Sequence, residues 1–294
     1  MRAKLKIGKL VVIGVGLIGG SFALALKKAK AVRHVVGVGR GRKNLATALR
    51  MRVIDEATTE AARAVRDADL VLLGTPVGQM AEVMAEIAPH LPSHAVITDG
   101  GSTKEDVIAH ARRFLGEHYA RFIPAHPVAG TEKSGAAAAR ADLYRDRTVI
   151  LTPQTESTAR ALRLVRAAWR RCGARVLQLD AREHDGIFAA VSHLPHVIAF
   201  ALVNTLARRA DARRLFGFSG GGLRDTVRIA GSSPEMWRDI CLANREALLA
   251  ALDGYEAELE RVRAAIESGD GAALGEMFEG ARAARSKWLS GTRR

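Results

Sequence analysis

Gly14-Val15-Gly16-Leu17-Ile18-Gly19 is the stretch that decides the fold of this 294-residue chain. An apolar run from Lys9 to Val15 leads into it, and a helix-like pattern from Gly20 to Lys28 follows. Three glycines with this spacing between a strand and a helix are typical of dinucleotide-binding domains. The first allows a tight turn, the second lets the backbone approach a pyrophosphate, and the third lets helix and strand pack closely. We therefore predict an N-terminal nucleotide-binding domain whose cofactor lies against Gly14, Gly16, Leu17, Ile18 and Gly19.

The end of the second predicted strand indicates which dinucleotide is bound. NAD sites usually carry an acidic residue there, which accepts a hydrogen bond from the ribose 2′-hydroxyl. Here the run from His34 to Val38 is followed by Gly39-Arg40-Gly41-Arg42-Lys43. A guanidinium binds a 2′-phosphate through paired, charge-assisted hydrogen bonds, whereas a carboxylate would repel it. The sequence therefore predicts NADP in preference to NAD, with Arg40 as the chief contact; use of either cofactor is the alternative.

Strand-like runs alternate with helical patterns over the first 179 residues, at 68–74, 95–99, 121–125, 147–151 and 175–179. This alternation predicts an α/β fold with a doubly wound, mostly parallel sheet, a Rossmann-type domain. The loops after three of these strands carry Thr75-Pro76, Ser102 and His126, and they should meet at the carboxyl edge, where such sheets bind ligands. Ser102 also fits a helix N-cap. His126 is the candidate catalytic base, because imidazole accepts a proton near neutral pH.

From residue 180 onward, helical periodicity replaces the strand signals. We predict domains at 1–179 and 180–294, the second all-helical, with Ser233 capping a helix that has Pro234 in its first turn. Several alanine-rich helices cannot bury all their apolar faces within a little over a hundred residues. A symmetric homodimer would cover them.

Two clusters in the helical half carry chemistry. Ser192-His193-Leu194-Pro195-His196 places two histidines beside a proline, which kinks a helix. No further ligand lies at a metal-like spacing, so we expect no metal site. A core role fits His196 better than His193. Downstream, Gly220-Gly221-Gly222 predicts a flexible loop before Arg224 and Arg228, and Arg228 is the better candidate for binding a carboxylate.

Composition narrows the class of protein. The formal net charge of +14 is spread over both halves, aromatic residues make up 5%, and there is no zinc-finger spacing. We therefore expect a solvated basic surface and no nucleic-acid partner. Cys172 and Cys241 match no metal or redox spacing, as in proteins of a reducing compartment. No stretch reads as long and apolar enough to span a bilayer, so we expect a cytoplasmic protein without a membrane partner.

Five segments together resemble the prephenate/arogenate dehydrogenases of tyrosine biosynthesis. They occur in order and cover nearly the whole chain to about Asn244: residues 14–21, 126–132, 192–196, 226–230 and 234–240. The resemblance implies a nucleotide-binding domain followed by a helical dimerisation domain. It also implies an oxidative decarboxylation, in which hydride passes from the cyclohexadienol ring of prephenate or arogenate to NADP or NAD, carbon dioxide leaves and the ring becomes aromatic.

The resemblance also implies roles for individual residues. His126 is expected to accept a hydrogen bond from the ring hydroxyl, and Arg228 to bind a substrate carboxylate. Ser102 is expected to help orient both His126 and the hydroxyl. His193 is expected near the substrate side chain, and Glu132 as a gate or supporting residue. Others in the matching segments are expected to line the substrate pocket: Ser192, Gly130, Thr131 and Trp237.

Two alternatives remain open at this point. Another two-domain reductase, such as a β-hydroxyacid dehydrogenase, would share the first glycines but lack both the His126 segment and the segment from Ser192 to His196. A non-catalytic NADP-sensing module would bind cofactor without reducing it. The sequence does not separate prephenate from arogenate, and it leaves the roles of His196 and Arg224 undecided.

Overall fold

A computed structural model describes residues 5–131 and 133–291. The chain divides into two compact units, residues 1–245 and 246–294.

The first unit is built on a six-stranded parallel sheet. Its strands are β1 (Ile7–Ile13), β2 (Val32–Val38), β3 (Glu56–Thr58), β4 (Leu70–Leu73), β5 (Val96–Asp99) and β6 (Phe122–Ile123). They lie in the order β3-β2-β1-β4-β5-β6. After β3 the chain crosses to the other side of β1, so the direction of winding reverses between β1 and β4. Open α/β sheets bind ligands at the carboxyl ends of the strands at such a reversal.

Helices cover both faces of this sheet: α1 (Leu17–Lys28), α2 (Arg42–Arg50), α3 (Ala61–Ala64), α4 (Met80–Ile87), α5 (Glu105–Phe114) and α6 (Ala159–Arg171). Successive strand residues point to opposite faces. Leu10 and Val12 accordingly belong to the core that includes Phe22 of α1. Val11 belongs to the opposite core, with Met80 of α4. The near-continuous apolar strands are thus buried on both sides, as a parallel sheet requires.

A second, three-stranded sheet follows, and it corrects one prediction. It contains β7 (Ala125–Pro127), β8 (Thr148–Leu151) and β9 (Arg175–Gln178), with β7 antiparallel to β8 and β8 parallel to β9. The single strand expected over 121–125 is therefore wrong. The chain breaks at Pro124, which has no N–H to donate to a sheet, and His126 lies within β7 opposite Ile150.

The rest of the first unit is helical: α7 (Ala181–Phe188), α8 (Leu194–Ala207), α9 (Ala212–Gly217), α10 (Gly221–Val227) and α11 (Pro234–Ala243). A π-helical turn, Ala189–His193, joins α7 to α8 just before Pro195. Ser233 caps α11 as predicted, because its side chain accepts from the backbone N–H of Met236. The flexible loop expected at Gly220–Gly222 is wrong, since α10 begins at Gly221.

One helical segment in the described part of the chain, Ala181–Ala207, is long and apolar enough by length and composition to cross a membrane. The expectation that no stretch has this character is therefore wrong. This segment carries His184 and Asp185, which are buried and hydrogen-bonded to each other.

The second unit contains most of α12 (Arg245–Glu267) and all of α13 (Gly271–Gly291). No residue of α13 is buried in the single chain, and Phe278 and Trp288 are 60% and 65% exposed. The predicted fold class, a doubly wound parallel sheet followed by a helical region, is confirmed. The boundary between residues 179 and 180 stays a prediction.

Candidate active site

A cavity of about 820 Å³ lies within the first unit at the carboxyl edge of the parallel sheet. One wall consists of residues that follow β1, β4 and β5, together with β7 and the loop after it. The other wall comes from residues 188–240 of the helical region. This volume is within the range of pockets that enclose a small ligand or cofactor.

The cavity brings together most of the predicted site residues. Those that line it are Gly16, Leu17, Ile18, Thr75, Pro76, Ser102, His126, Gly130, Thr131, Ser192, Arg228 and Trp237. Gly14, Gly19, Arg40 and His193 do not line it. Glu132 lies outside the described residues.

The glycine turn has the shape that a dinucleotide requires. Gly14 has a φ of +95°, and a Cβ there would lie 2.6 Å from the backbone of Gly74. A Cβ on Gly19 would lie 2.4 Å from the carbonyl oxygen of Gly14, so this position sets how closely α1 packs on β1. Gly16 has open space where its Cβ would be, and no side chain caps α1. The positive end of the helix dipole is thus accessible to a phosphate.

Thr75 provides a second indication of a binding site. Its Oγ1 is buried and has no hydrogen-bond partner in the described part of the chain. Buried hydroxyls almost always have a partner. Together with the open space at Gly16, this orphaned hydroxyl fits a ligand with phosphate and other polar groups, such as a dinucleotide, at this edge of the sheet.

Ser102 lies half-buried on the cavity and does not cap α5. The alternative reading of this serine as an N-cap is therefore wrong. Asp185 of α7 performs that task, because its carboxylate accepts from the backbone N–H groups of Lys104 and Glu105 at 2.9 and 2.8 Å. The side chain of Ser102 remains available to a substrate.

His126 is held in the cavity wall with its ring 4.5 Å from that of Phe188, and it is 8% exposed. Its Nδ1 lies 2.8 Å from Nε2 of His184. Burial lowers the pKa of His126 well below its usual value, and His184, Lys104 and His193 lower it further. His126 is therefore neutral at physiological pH and can accept a hydrogen bond.

A buried ion pair holds the strand that carries His126. Lys104 and Asp99 are both fully buried and paired with each other. Asp99 accepts from the N–H of Ala125 at 2.8 Å, and Lys104 donates to the carbonyl of Ala125 at 2.9 Å. Both backbone polar groups of the residue before His126 are thus bound by charged groups. Because breaking a buried pair leaves an uncompensated charge, the backbone here is strongly constrained.

The two histidines of the opposite wall lie at different depths. His193 is 1% exposed and lies behind the cavity, with its Nδ1 3.1 Å from the side-chain nitrogen of Asn244. The place of His193 near the substrate side chain therefore stays a prediction, and the core role that seemed to fit His196 better than His193 does not hold for His196. His196 lines the cavity and stacks on Trp237, with ring centroids 3.6 Å apart. The two side chains pack against different residues of the helical region, His193 against Asn244 and His196 against Trp237.

The two candidate arginines lie in different places relative to the cavity. Arg228 lines the cavity, whereas Arg224 does not. Within residues 5–131 and 133–291, no carboxylate forms an ion pair with Arg228. Its guanidinium is therefore available to an anionic substrate group.

Arg40 is exposed and lies two residues beyond the end of β2, close to the start of α2. Gly39, just before it, donates its N–H to the carbonyl of Thr58 at 3.3 Å. This places Arg40 at the carboxyl end of the strand next to β1, where the adenosine ribose lies in this kind of fold.

Sequence reasoning missed His184 and Asp185. Neither belongs to a recognisable spacing, and the contact between His126 and His184 joins residues 58 positions apart. His196 was visible in its histidine-proline segment, but its role was left undecided, with a core position favoured. No group of three or more potential ligands able to hold a metal occurs among the described residues.

Comparison with known proteins identifies relatives that match most of the chain. The family model for "Prephenate dehydrogenase, nucleotide-binding domain" matches residues 22–178, and that for "Prephenate dehydrogenase, dimerization domain" matches residues 180–280. A cyclohexadienyl dehydrogenase from Zymomonas mobilis is 40% identical, over 94% of this chain and 94% of its own length. A prephenate dehydrogenase from Bacillus subtilis is 35% identical, over 93% of this chain and 74% of its own length.

A solved structure is similar over the same extent. The crystal structure of prephenate dehydrogenase from A. aeolicus, in complex with hydroxyphenyl propionate and NAD+, superposes with a TM-score of 0.90 at 36% identity. The match covers 96% of this chain and 99% of the other.

Proposed function

The chain belongs to the prephenate dehydrogenase family, and from this premise we propose that it oxidatively decarboxylates prephenate, arogenate or both. The observation that carries the proposal is a neutral, buried His126 on the same cavity as the glycine turn and the unpaired Arg228. It is a nicotinamide-dependent dehydrogenase.

The cofactor supplies the hydride acceptor. We assign its phosphates to the backbone around Gly16 and the start of α1, and its nicotinamide half to the region of Thr75 and Pro76. The residues at these positions leave room for the backbone to approach a pyrophosphate. The orphaned Thr75 hydroxyl can bind a polar group of the ligand.

His126 acts on the ring hydroxyl. As hydride leaves the carbinol carbon, positive charge develops there and on its oxygen. A neutral imidazole that accepts a hydrogen bond from the hydroxyl stabilises this charge, whereas an imidazolium would oppose it. The C–CO2 bond then breaks, and its electron pair completes the aromatic ring. The hydroxyl proton stays on the phenol, so the overall reaction releases no proton. Ser102, on the same wall, is assigned to orient the hydroxyl.

Arg228 is assigned to the carboxylate of the substrate side chain. A guanidinium on the ring carboxylate would stabilise the charge that must disappear when carbon dioxide leaves. On the side chain, the same interaction holds ground state and transition state equally. Ser192, His196, Trp237 and the loop residues Gly130 and Thr131 complete the substrate wall.

NADP is proposed as the preferred cofactor. Arg40 is exposed at the end of β2, and the nearby Arg42 and Lys43 are exposed as well. A local surplus of positive charge favours a 2′-phosphate over a 2′-hydroxyl.

A homodimer is proposed because large apolar side chains are exposed in the single chain, including Val191, Leu242 and Trp288. A cytoplasmic location is proposed from the free thiols of Cys172 and Cys241.

One assay tests the activity and the cofactor together. Purified protein is mixed with prephenate or arogenate and with NADP or NAD, and formation of reduced cofactor and carbon dioxide is followed. We expect both products in equal amounts, with a higher kcat/KM for NADP. Absence of cofactor reduction with either substrate contradicts the proposed activity, and a higher kcat/KM for NAD contradicts the cofactor assignment. Light scattering at working concentration should give twice the chain mass of 31.5 kDa.

A further inference from the structure

Behind His126 lies a line of three buried side chains that the proposed reaction does not itself require. Nδ1 of His126 is 2.8 Å from Nε2 of His184, and Nδ1 of His184 is 2.8 Å from Oδ1 of Asp185. His184 is fully buried and Asp185 is 2% exposed. The array joins β7 to α7 over a separation of 58 residues.

Hydrogen-bond chemistry determines the direction of each bond in this array. Asp185 already accepts from the backbone N–H groups of Lys104 and Glu105, so it acts as an ionised acceptor. His184 must therefore donate through Nδ1. Burial lowers the pKa of His184, so its ring is neutral. Because a neutral imidazole that donates through Nδ1 has no proton on its other nitrogen, Nε2 of His184 carries a lone pair. That nitrogen accepts from Nδ1 of His126, which leaves the lone pair of His126 on Nε2.

We propose that His184 and Asp185 are positioning residues that hold His126 as the Nδ1–H tautomer, so that Nε2 is the acceptor for the substrate hydroxyl. The part of this inference that concerns the hydroxyl rests on the proposed function. Because the overall reaction releases no proton, the array is not a proton conduit. Its task is to select one tautomer and to place a negative charge in line with the imidazole.

Asp185 also ties this array to the loop that carries Ser102. Its carboxylate binds the first N–H groups of α5, two and three residues after Ser102. Asn244, at the end of α11, donates through its side chain to the backbone carbonyl of Asp185 at 2.8 Å and so holds the backbone of Asp185 in place. Both groups assigned to the substrate hydroxyl, His126 and Ser102, therefore share one anchor.

Other charged or titratable groups near His126 do not replace Asp185. Lys104 is paired with Asp99. Burial lowers the pKa of His193 to about 4, so it is neutral. Asp185 is thus the carboxylate that bonds directly to the histidine pair.

The first experiment measures the tautomer without substrate. Nitrogen-15 NMR of the full-length protein with labelled histidine distinguishes protonated from unprotonated ring nitrogens, and an H126N sample assigns the signals. We expect a protonated Nδ1 and an unprotonated Nε2 on His126. A protonated Nε2 overturns the proposal. This result does not depend on which substrate the enzyme uses, so it separates failure of this inference from failure of the proposed activity.

The second experiment compares H184Q with H184L. Glutamine can still accept from Nδ1 of His126, whereas leucine cannot. We expect H184L to lower kcat about tenfold to a hundredfold with little change in KM, and H184Q to recover part of the loss. The matched control is H118Q, which replaces a buried histidine outside the cavity and should keep the kcat of the parent protein. Equal kcat in H184L and the parent overturns the proposal.

The third experiment uses D185N to separate positioning from a merely structural role. Loss of the negative charge lowers the pKa of His126, so the acid limb of kcat/KM should move to lower pH while the plateau kcat falls. A structural role alone would lower Tm and leave both the acid limb and the NMR tautomer unchanged; that outcome overturns the proposal. D55N, which replaces a carboxylate that accepts from the N–H of Val35 elsewhere in the sheet, is the control.

Discussion

The two walls of the cavity are built in different ways. On the sheet side, His126 lies on a strand whose backbone is bound by the buried pair of Lys104 and Asp99. On the helical side, Arg228 is exposed and sits in a short turn after α10, without an ion-pair partner in the described part of the chain. The chemistry is thus assigned to the constrained wall and substrate holding to the open one. A site that needs accurate placement of a hydrogen-bond acceptor gains most from rigid support.

The largest effect is expected on the constrained wall. His126→Asn should lower kcat about a hundredfold or more, because the amide is a weaker acceptor at a different position. Steady-state rates with saturating cofactor provide the measurement. His118→Gln serves as control for loss of a buried histidine. A near-normal kcat in His126→Asn would remove the distinction between the walls.

On the open wall, Arg228→Ala should raise KM for the substrate about tenfold to a hundredfold, the usual worth of a charged hydrogen bond, and leave kcat nearly unchanged. The exposed Arg224 is the matched control, and its alanine variant should bind substrate normally. An unchanged KM in Arg228→Ala, with a raised KM in Arg224→Ala, would show that Arg224 and not Arg228 binds the substrate carboxylate.

A buried histidine behind the helical wall should make stability depend on pH. Burial lowers the pKa of His193 to about 4 in the folded chain, whereas an unfolded histidine titrates near 6.5. As pH falls from 7 to 5, His193 becomes protonated in the unfolded state but stays neutral in the folded state. This difference should reduce the free energy of unfolding by about 2 kcal/mol.

Urea unfolding at both pH values checks this linkage. His193→Asn retains an acceptor for Asn244 and should flatten the pH dependence by that amount. His94→Asn, at an exposed position, should leave the pH dependence as it is. Equal pH dependence in His193→Asn and the parent protein would show that His193 protonates freely in the folded state.

The smallest effect is expected at the exposed cofactor contact. Arg40→Ala should raise KM for NADP by about fivefold and leave KM for NAD unchanged, because a solvent-exposed charge pair contributes about 1 kcal/mol. Arg50→Ala on α2 is the control for loss of one nearby positive charge. Equal changes with both cofactors would assign Arg40 to general electrostatics and not to the 2′-phosphate.

How far sequence reasoning reached depends on how local each feature is. The glycine turn was predictable residue by residue, because turn geometry, phosphate approach and helix packing each act within six positions. Ser233 and Pro234 at the start of α11 were predictable for the same reason. The break at Pro124 was missed, although a proline inside a strand-like run is itself a local sign that the strand is interrupted.

The sequence by itself determined the parallel sheet, the glycine turn and the presence of His126 and Arg228, since periodicity and spacing are local properties of the chain. Only the tertiary structure decided that His196 faces the cavity while His193 lies behind it. The reason is that His193 packs against Asn244 and His196 stacks on Trp237. The tertiary structure also decided that His184 and Asp185 support His126. Hydrogen bonds between residues 58 positions apart depend on how the elements pack, and no local pattern encodes them.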